Sequence, residues 1–159
     1  MAQMTDPTPA MVSFQQAIRS GEVHLQRAAL DQNVFVYADK LGDRVRFSYA
    51  RMNRQTVLAF ANFVTVGFQD GLPVWQAGIA VPEAERGKGR AKHILAAGIA
   101  ELKHGFSRAV PGAELYVEGV VGLYNFASQH VSAAVISNSP TRITDSVSGL
   151  DALHYIRKV

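Results

Sequence analysis

Three cations and two glycines alternate in Arg86-Gly87-Lys88-Gly89-Arg90, where an apolar, strand-like run ending at Val81 gives way to a helical pattern. The first turn of a helix leaves backbone N–H groups unpaired, and the peptide dipoles add about half a positive charge there, so an anion is stabilised at that point. Glycine lets the backbone approach such a ligand closely, and Arg86, Lys88 and Arg90 surround it with full charges. The expected chemistry is the binding of a phosphate or pyrophosphate. Two familiar phosphate motifs fail here. The mononucleotide loop G-x-x-x-x-G-K-[ST] needs a hydroxyl after its lysine, but Gly89 follows Lys88, and no glycine stands five residues before Gly87. The dinucleotide pattern G-x-G-x-x-G would put a glycine where Lys92 stands. The pattern that is met is [QR]-x-x-G-x-[GA], on Arg86, Gly89 and Ala91.

Other reactive side chains are few. The chain has no cysteine, which excludes disulfides, thiolate metal sites and a cysteine nucleophile. Its five histidines, His24, His93, His104, His130 and His154, show no ligand spacing such as H-x-x-x-H, so they read as surface or packing residues and no metal is expected. Glu118 lies in the alternating run Leu115 to Val121, on the same strand face as Tyr116.

The elements around the glycine turn follow from hydrophobic period. Upstream the period is two: Val34 to Ala38 and Arg44 to Tyr49 flank a turn at Gly42, and Val57 to Phe68 and Leu72 to Val81 flank Asp70-Gly71. This predicts antiparallel sheet. Downstream of Gly89, Ala91, Ile94, Leu95, Gly98 and Leu102 fall on one face of a helix that Gly105 is expected to stop. Leu115 to Val121 is a further strand. Asn125 precedes a second helix with Ala127, Val131, Ala134 and Val135 on one face, ended by Asn138 and Pro140. Two last strands, near Arg142 to Ser148 and Ala152 to Val159, join around Gly149. Residues 1–10, with two prolines, read as a loose segment before a single domain over residues 11–159. There, Ser13 is expected to cap a helix stopped at Gly21, and a short helix is expected over Glu22 to Leu30. Trp75 reads as core or interface.

With its turn placed between strand and helix, the chain resembles the GNAT superfamily of acyl-CoA-dependent N-acetyltransferases. The resemblance rests on Val81, Pro82, Arg86, Gly87, Gly89, Ala91, Ile94 and Leu95, and downstream on Glu118, Val121, Asn125 and Ser128, which match a segment of the branch that includes ribosomal-protein N-terminal acetyltransferases. It implies an α/β (α+β) fold: a mixed, mostly antiparallel sheet of about six to seven strands flanked by about four helices. It also implies acetyl-CoA as cosubstrate, with no metal. The backbone from Arg86 through Ala91, Lys88 and Arg90 included, would hold the pyrophosphate, main chain near Ile79, Ala80 and Val81 the pantetheine arm, and Asn125 and Ser128 the side of a gap between the two strands. An amine must reach the thioester neutral, so a base takes its proton; Glu118 is the candidate. The family's usual acid, a Tyr seven residues after the Asn, is replaced here by Ser132, and Tyr124 is the candidate substitute.

Composition sets the remaining bounds. At 159 residues, 48% hydrophobic and 18% charged, the chain suits one globular domain with a sizeable core. No apolar run reaches the ~20 residues of a membrane-spanning helix, so no membrane partner and a cytoplasmic location are expected. A formal charge of +3 spread along the chain makes nucleic acid an unlikely partner. The expected partner is a small-molecule or peptide amine, and the long Val57 to Phe68 strand offers a pairing edge for a homodimer. The rival to an acetyltransferase is a module of the same fold that binds acyl-CoA without turnover.

Overall fold

A computed structural model describes residues 4–159. Helix α1 spans Thr8–Ser20. The strands are β1 (Gln26–Arg27), β2 (Val34–Leu41), β3 (Arg44–Asn53), β4 (Thr56–Gln69) and β5 (Leu72–Ala80). A 3₁₀ turn at Glu83–Glu85 leads into α2 (Arg90–Ala109), followed by β6 (Tyr116–Gly122), α3 (Phe126–Val135), β7 (Thr141–Thr144) and β8 (Asp151–Lys158). The eight strands form one sheet in the order β1-β2-β3-β4-β5-β6-β8-β7. Every neighbouring pair is antiparallel except β5 with β6, which is parallel.

Alternation along the strands sends side chains to two cores. Tyr49, Ala61, Phe63, Trp75, Val117 and Tyr155 pack with Ile94, Leu95, Ile99 and Leu102 of α2 on one face. Gly98 sits at the closest approach: a Cβ there would come 2.7 Å from Cε2 of Phe63, so the helix lies directly on the sheet. On the opposite face α1 lays Met11, Phe14 and Ile18 over Ala50, Met52, Phe60 and Ala80. Trp75 is 3% exposed between Phe47 and Phe106, at 5.5 and 5.6 Å between ring centroids, and its Nε1 has no hydrogen-bond partner among the described residues. Buried Glu101 accepts from the amides of Ala29, Leu30 and Asp31 and pins their turn against α2. No helix among the described residues is long and apolar enough to cross a membrane.

Several expected elements differ. Helix α1 starts at Thr8 rather than at a Ser13 cap, because proline in a first turn lacks only an N–H that would be unpaired anyway; Pro7 and Pro9 therefore favour the start. Part of the expected loose segment is thus helical, and residues 1–3 lie outside the described residues. The expected Glu22 to Leu30 helix is instead extended chain with strand β1, the eighth strand against the expected six to seven. Among the described residues three α-helices stand against the expected four. Helix α2 runs through Gly105 to Ala109 and ends at Val110, because Pro111 disfavours helical geometry in the residue before it. Strand β4 is bonded on both sides, to β3 and β5, so it offers no pairing edge; the sheet's edges are β1 and β7.

Candidate functional site

Strands β5 and β6 pair only from Val74 opposite Tyr116 to Gln76 opposite Glu118. Beyond that rung they part, since β5 stays with β4 up to Ala80 opposite Phe60, while β6 stays with β8 up to Gly122 opposite Ala152. The twist carries the two sub-sheets away from each other, leaving the β6-facing edge of β5 without a strand partner from Ala77 on. A cavity of about 360 Å³ passes through the gap, with Gly78 and Ile79 on one bank, Gly119 to Gly122 on the other, and Ser132 and Ile136 behind. Small residues keep it open: a Cβ on Gly119 would stand 3.2 Å from Cδ1 of Ile136, and one on Gly78 2.7 Å from Oδ1 of Asn62.

At the end of the gap lies the glycine turn. Gly87 and Gly89 both have φ of +75°, in the left-handed region, and Gly89 is the N-cap of α2 without a side-chain cap. Among the described residues the amides of Gly87 to Lys92 donate to no backbone carbonyl or side chain, so the start of a 20-residue helix presents free N–H groups. No acidic residue occupies the first turn. Arg86 donates through Nε to the Val81 carbonyl at 3.2 Å, which closes the turn back on β5. Glu85 accepts from Lys88 at 3.1 Å and from Arg90 at 2.7 Å, and these bonds hold its carboxyl below the usual range. A second cavity, about 800 Å³, opens over this turn and adjoins the first through Ile79, Asn125 and Ser128.

The residues expected to bind cofactor converge on that second cavity: Ile79, Ala80, Val81, Arg86, Gly87, Gly89, Arg90, Ala91, Asn125 and Ser128 all line it, and Lys88 does not. Asn125 also caps α3, its Oδ1 accepting from the Ser128 amide at 3.1 Å. Glu118 stands at the last rung before the gap, its side chain 14% exposed. It accepts from Nε2 of Gln76 at 3.3 Å and lies 2.5 Å from Nε2 of His154. His154, expected as a surface or packing residue, is instead the partner of Glu118: the β6–β8 register puts it opposite Val120, diagonal to Glu118 on the same face, and no local motif signals that pairing. Tyr124 is 88% exposed and lines neither cavity. Ser132 is buried at the back of the gap.

The segment from Met4 to Pro7, read as loose in the sequence, borders both cavities. A Cβ on Gly78 would stand 2.9 Å from Cγ of Pro7, and one on Gly122 3.3 Å from Cγ of Met4; Oγ of Ser148 donates to the Met4 sulfur at 3.3 Å. These residues form a strap beside the gap.

No protein-family model matches the chain, and no curated protein matches it in sequence. Solved structures do match in shape. The ribosomal-protein-S5-alanine acetyltransferase of Vibrio fischeri aligns at 12% identity over 72% of this chain and 61% of that one, with a TM-score of 0.52. RimJ of Mycobacterium smegmatis, solved with CoA-disulfide, aligns at 16% identity over 95% of this chain and 60% of that one, also at 0.52. A GNAT-family acetyltransferase of Streptococcus pneumoniae aligns at 12% identity over 100% of this chain and 99% of that one, at 0.50. This chain therefore spans 61% and 60% of the first two structures' lengths. At such identities the likeness is one of fold: the chain has the fold of the GNAT acetyltransferases.

Proposed function

We propose that the chain is an acyl-CoA-dependent N-acyltransferase that moves an acetyl group from acetyl-CoA to a primary amine by direct attack. The observation that carries this reading is the continuity of the two cavities, with a turn of free amides at one end and an unpaired strand edge along the middle; Glu118 lines neither cavity and stands at the last rung, bonded to Gln76, which lines the first. The free amides from Gly87 to Lys92 suit a diphosphate, which gains from the helix dipole and from guanidinium groups nearby. The open edge of β5 from Ala77 to Ala80 suits an extended amide-bearing arm, because it offers backbone groups that no strand uses. Asn125 and Ser128 border the point where the cavities meet.

Acetyl-CoA would supply an activated thioester carbonyl. The protein's own part is to hold the amine in line with it and to manage two protons. Glu118, as base, takes the proton that the amine loses as its N–C bond forms, directly or through a water. Gln76 and His154 fix the carboxylate's direction, and the imidazole beside it offers an outlet for the proton. The C–S bond breaks and the departing thiolate takes a proton in turn. Carrying that second proton would require Tyr124 to turn in from solvent. A loss of about 10²-fold in Tyr124→Phe keeps the phenol in the mechanism, and an unchanged rate gives this proton to water.

Thiol release from acetyl-CoA across a panel of small-molecule and peptide amines tests the proposal. Turnover lost by about 10² or more in Glu118→Gln, with coenzyme A still bound, is the expected result. Binding without thiol release from any amine would favour the acyl-CoA-binding module, a reading that Ser132 supports by standing where the family carries its acid.

A further inference from the structure

Resting on the acyltransferase reading, we infer that the acceptor carries an anionic group, carboxylate or phosphate, several bonds from its amine, and that Arg44 and Arg46 receive it. The gap cavity reaches the sheet face that α1 leaves uncovered, where Arg44, Arg46, Asn62 and Val64 line it. Arg44 and Arg46 project to one face of β3. The register places Arg46 opposite Val64, Val64 opposite Gln76, and Gln76 opposite Glu118, so the guanidinium and the proposed base lie in one cross-strand row.

Asp39 and Glu118 stand at the two ends of this row, outside the cavity lining, and the charge on the lining itself is one-sided. Among the described residues, Asp6 is the one carboxylate that lines the cavity, and its Oδ1 accepts from the Thr8 amide at 2.9 Å at the start of α1. Arg46 is held by Asp39 through Nε at 2.8 Å and Nη2 at 2.5 Å, with its side chain 24% exposed. That grip fixes the guanidinium's plane and leaves its other N–H groups for a ligand. Arg44 pairs with no carboxylate among the described residues. An acceptor with a second ammonium would meet the like charge of Arg44, which no carboxylate among the described residues compensates, whereas an oxyanion would gain charge-assisted hydrogen bonds from both arginines. Arg46 on β3 and Glu118 on β6 are three strand spacings apart, roughly 14 Å. An arginine side chain spans part of that distance, so the amine and the anion do not share a carbon but stand a handful of bonds apart.

A matched five-carbon series tests this: 5-aminopentanoate, pentylamine and 1,5-diaminopentane differ only at the end away from the reacting amine, and 4-aminobutyl phosphate separates carboxylate from phosphate. With acetyl-CoA and thiol release as readout, kcat/KM should fall from the anionic to the neutral to the cationic acceptor, by about 10- to 100-fold at the first step. Arg46→Gln should reduce the anionic-to-neutral ratio about tenfold; Arg44→Gln, at a side chain with no ion-pair partner to lose, should do the same without disturbing Asp39. A diamine used as well as the amino acids, or a ratio unchanged in Arg44→Gln, overturns the inference while the acyltransferase reading stands. If no amine releases thiol, that reading fails, and calorimetry of 5-aminopentanoate and 4-aminobutyl phosphate with coenzyme A present still decides the anion site. Binding of either that weakens in Arg44→Gln supports it, and absence of binding by both overturns it.

Discussion

Replacing Gly87 or Gly89 of the glycine turn by alanine isolates a conformational cost. A Cβ at Gly87 or Gly89 would meet nothing within 4 Å, so alanine brings no steric clash, only the penalty of a left-handed φ of +75°. That penalty is roughly 1–2 kcal/mol. It must appear somewhere. If the turn keeps its shape, the strain lowers folding stability; alanine's restriction of the unfolded chain returns about 0.4–1 kcal/mol, leaving a net loss near 1 kcal/mol. If the turn relaxes, stability is kept, but the ligand must force the amides back into place, and coenzyme A affinity falls about 5- to 30-fold. Urea unfolding and calorimetric titration with coenzyme A, run on Gly87→Ala, Gly89→Ala and Gly89→Asn, measure both shares. The two losses should be complementary, and asparagine, which tolerates this conformation, should retain most of both. An alanine variant unchanged in stability and in affinity, or asparagine as harmful as alanine, would refute the reasoning.

His154→Gln should lower kcat by about tenfold, because Glu118 loses the group that directs it, and should leave coenzyme A affinity as it is; calorimetry beside the thiol assay separates the two effects. Gly98→Ala sets a helix-propensity gain of about 1 kcal/mol against overpacking of about 1–3 kcal/mol where the new Cβ meets Phe63 at 2.7 Å. The ring is fully buried and cannot yield outward, so chemical denaturation should show a net loss of up to about 2 kcal/mol. The carboxyl of Asp31 is held below its usual 3.8 by the Asn33 amide and by Arg51. A lowered folded-state value means a stabilisation fully present above 3.8 and lost as pH falls through the lower value, so Asp31→Asn should flatten the acid limb of stability against pH.

What was legible in the sequence was local. The turn could be read because strand end, alternating glycines and helical period follow one another from Val81 to Leu102, and each carries its own signal. The long hairpin was legible at Asp70-Gly71 for the same reason. The partnership of Glu118 with His154 was not, since it depends on β8 inserting between β6 and β7, a pairing fixed by the whole sheet. The alignment of Arg46 with Gln76 and Glu118 likewise has no local signal, since it depends on the register across three strand pairs. The start of α1 is hard to read because proline breaks a helix interior yet favours a first turn, and the sequence does not say which place Pro7 and Pro9 take. At the end of α2, Gly105 only permits a stop, whereas Pro111 enforces one at Val110.

Trp75 gives the protein an internal optical probe. As the sole indole, sealed between the sheet and α2 with no hydrogen-bond acceptor, it should fluoresce at short wavelength when the helix is seated and shift to longer wavelength once water reaches it. Because it lies on one of the rungs that join β5 to β6, its emission would follow the coming apart of the two sub-sheets, without any label being added.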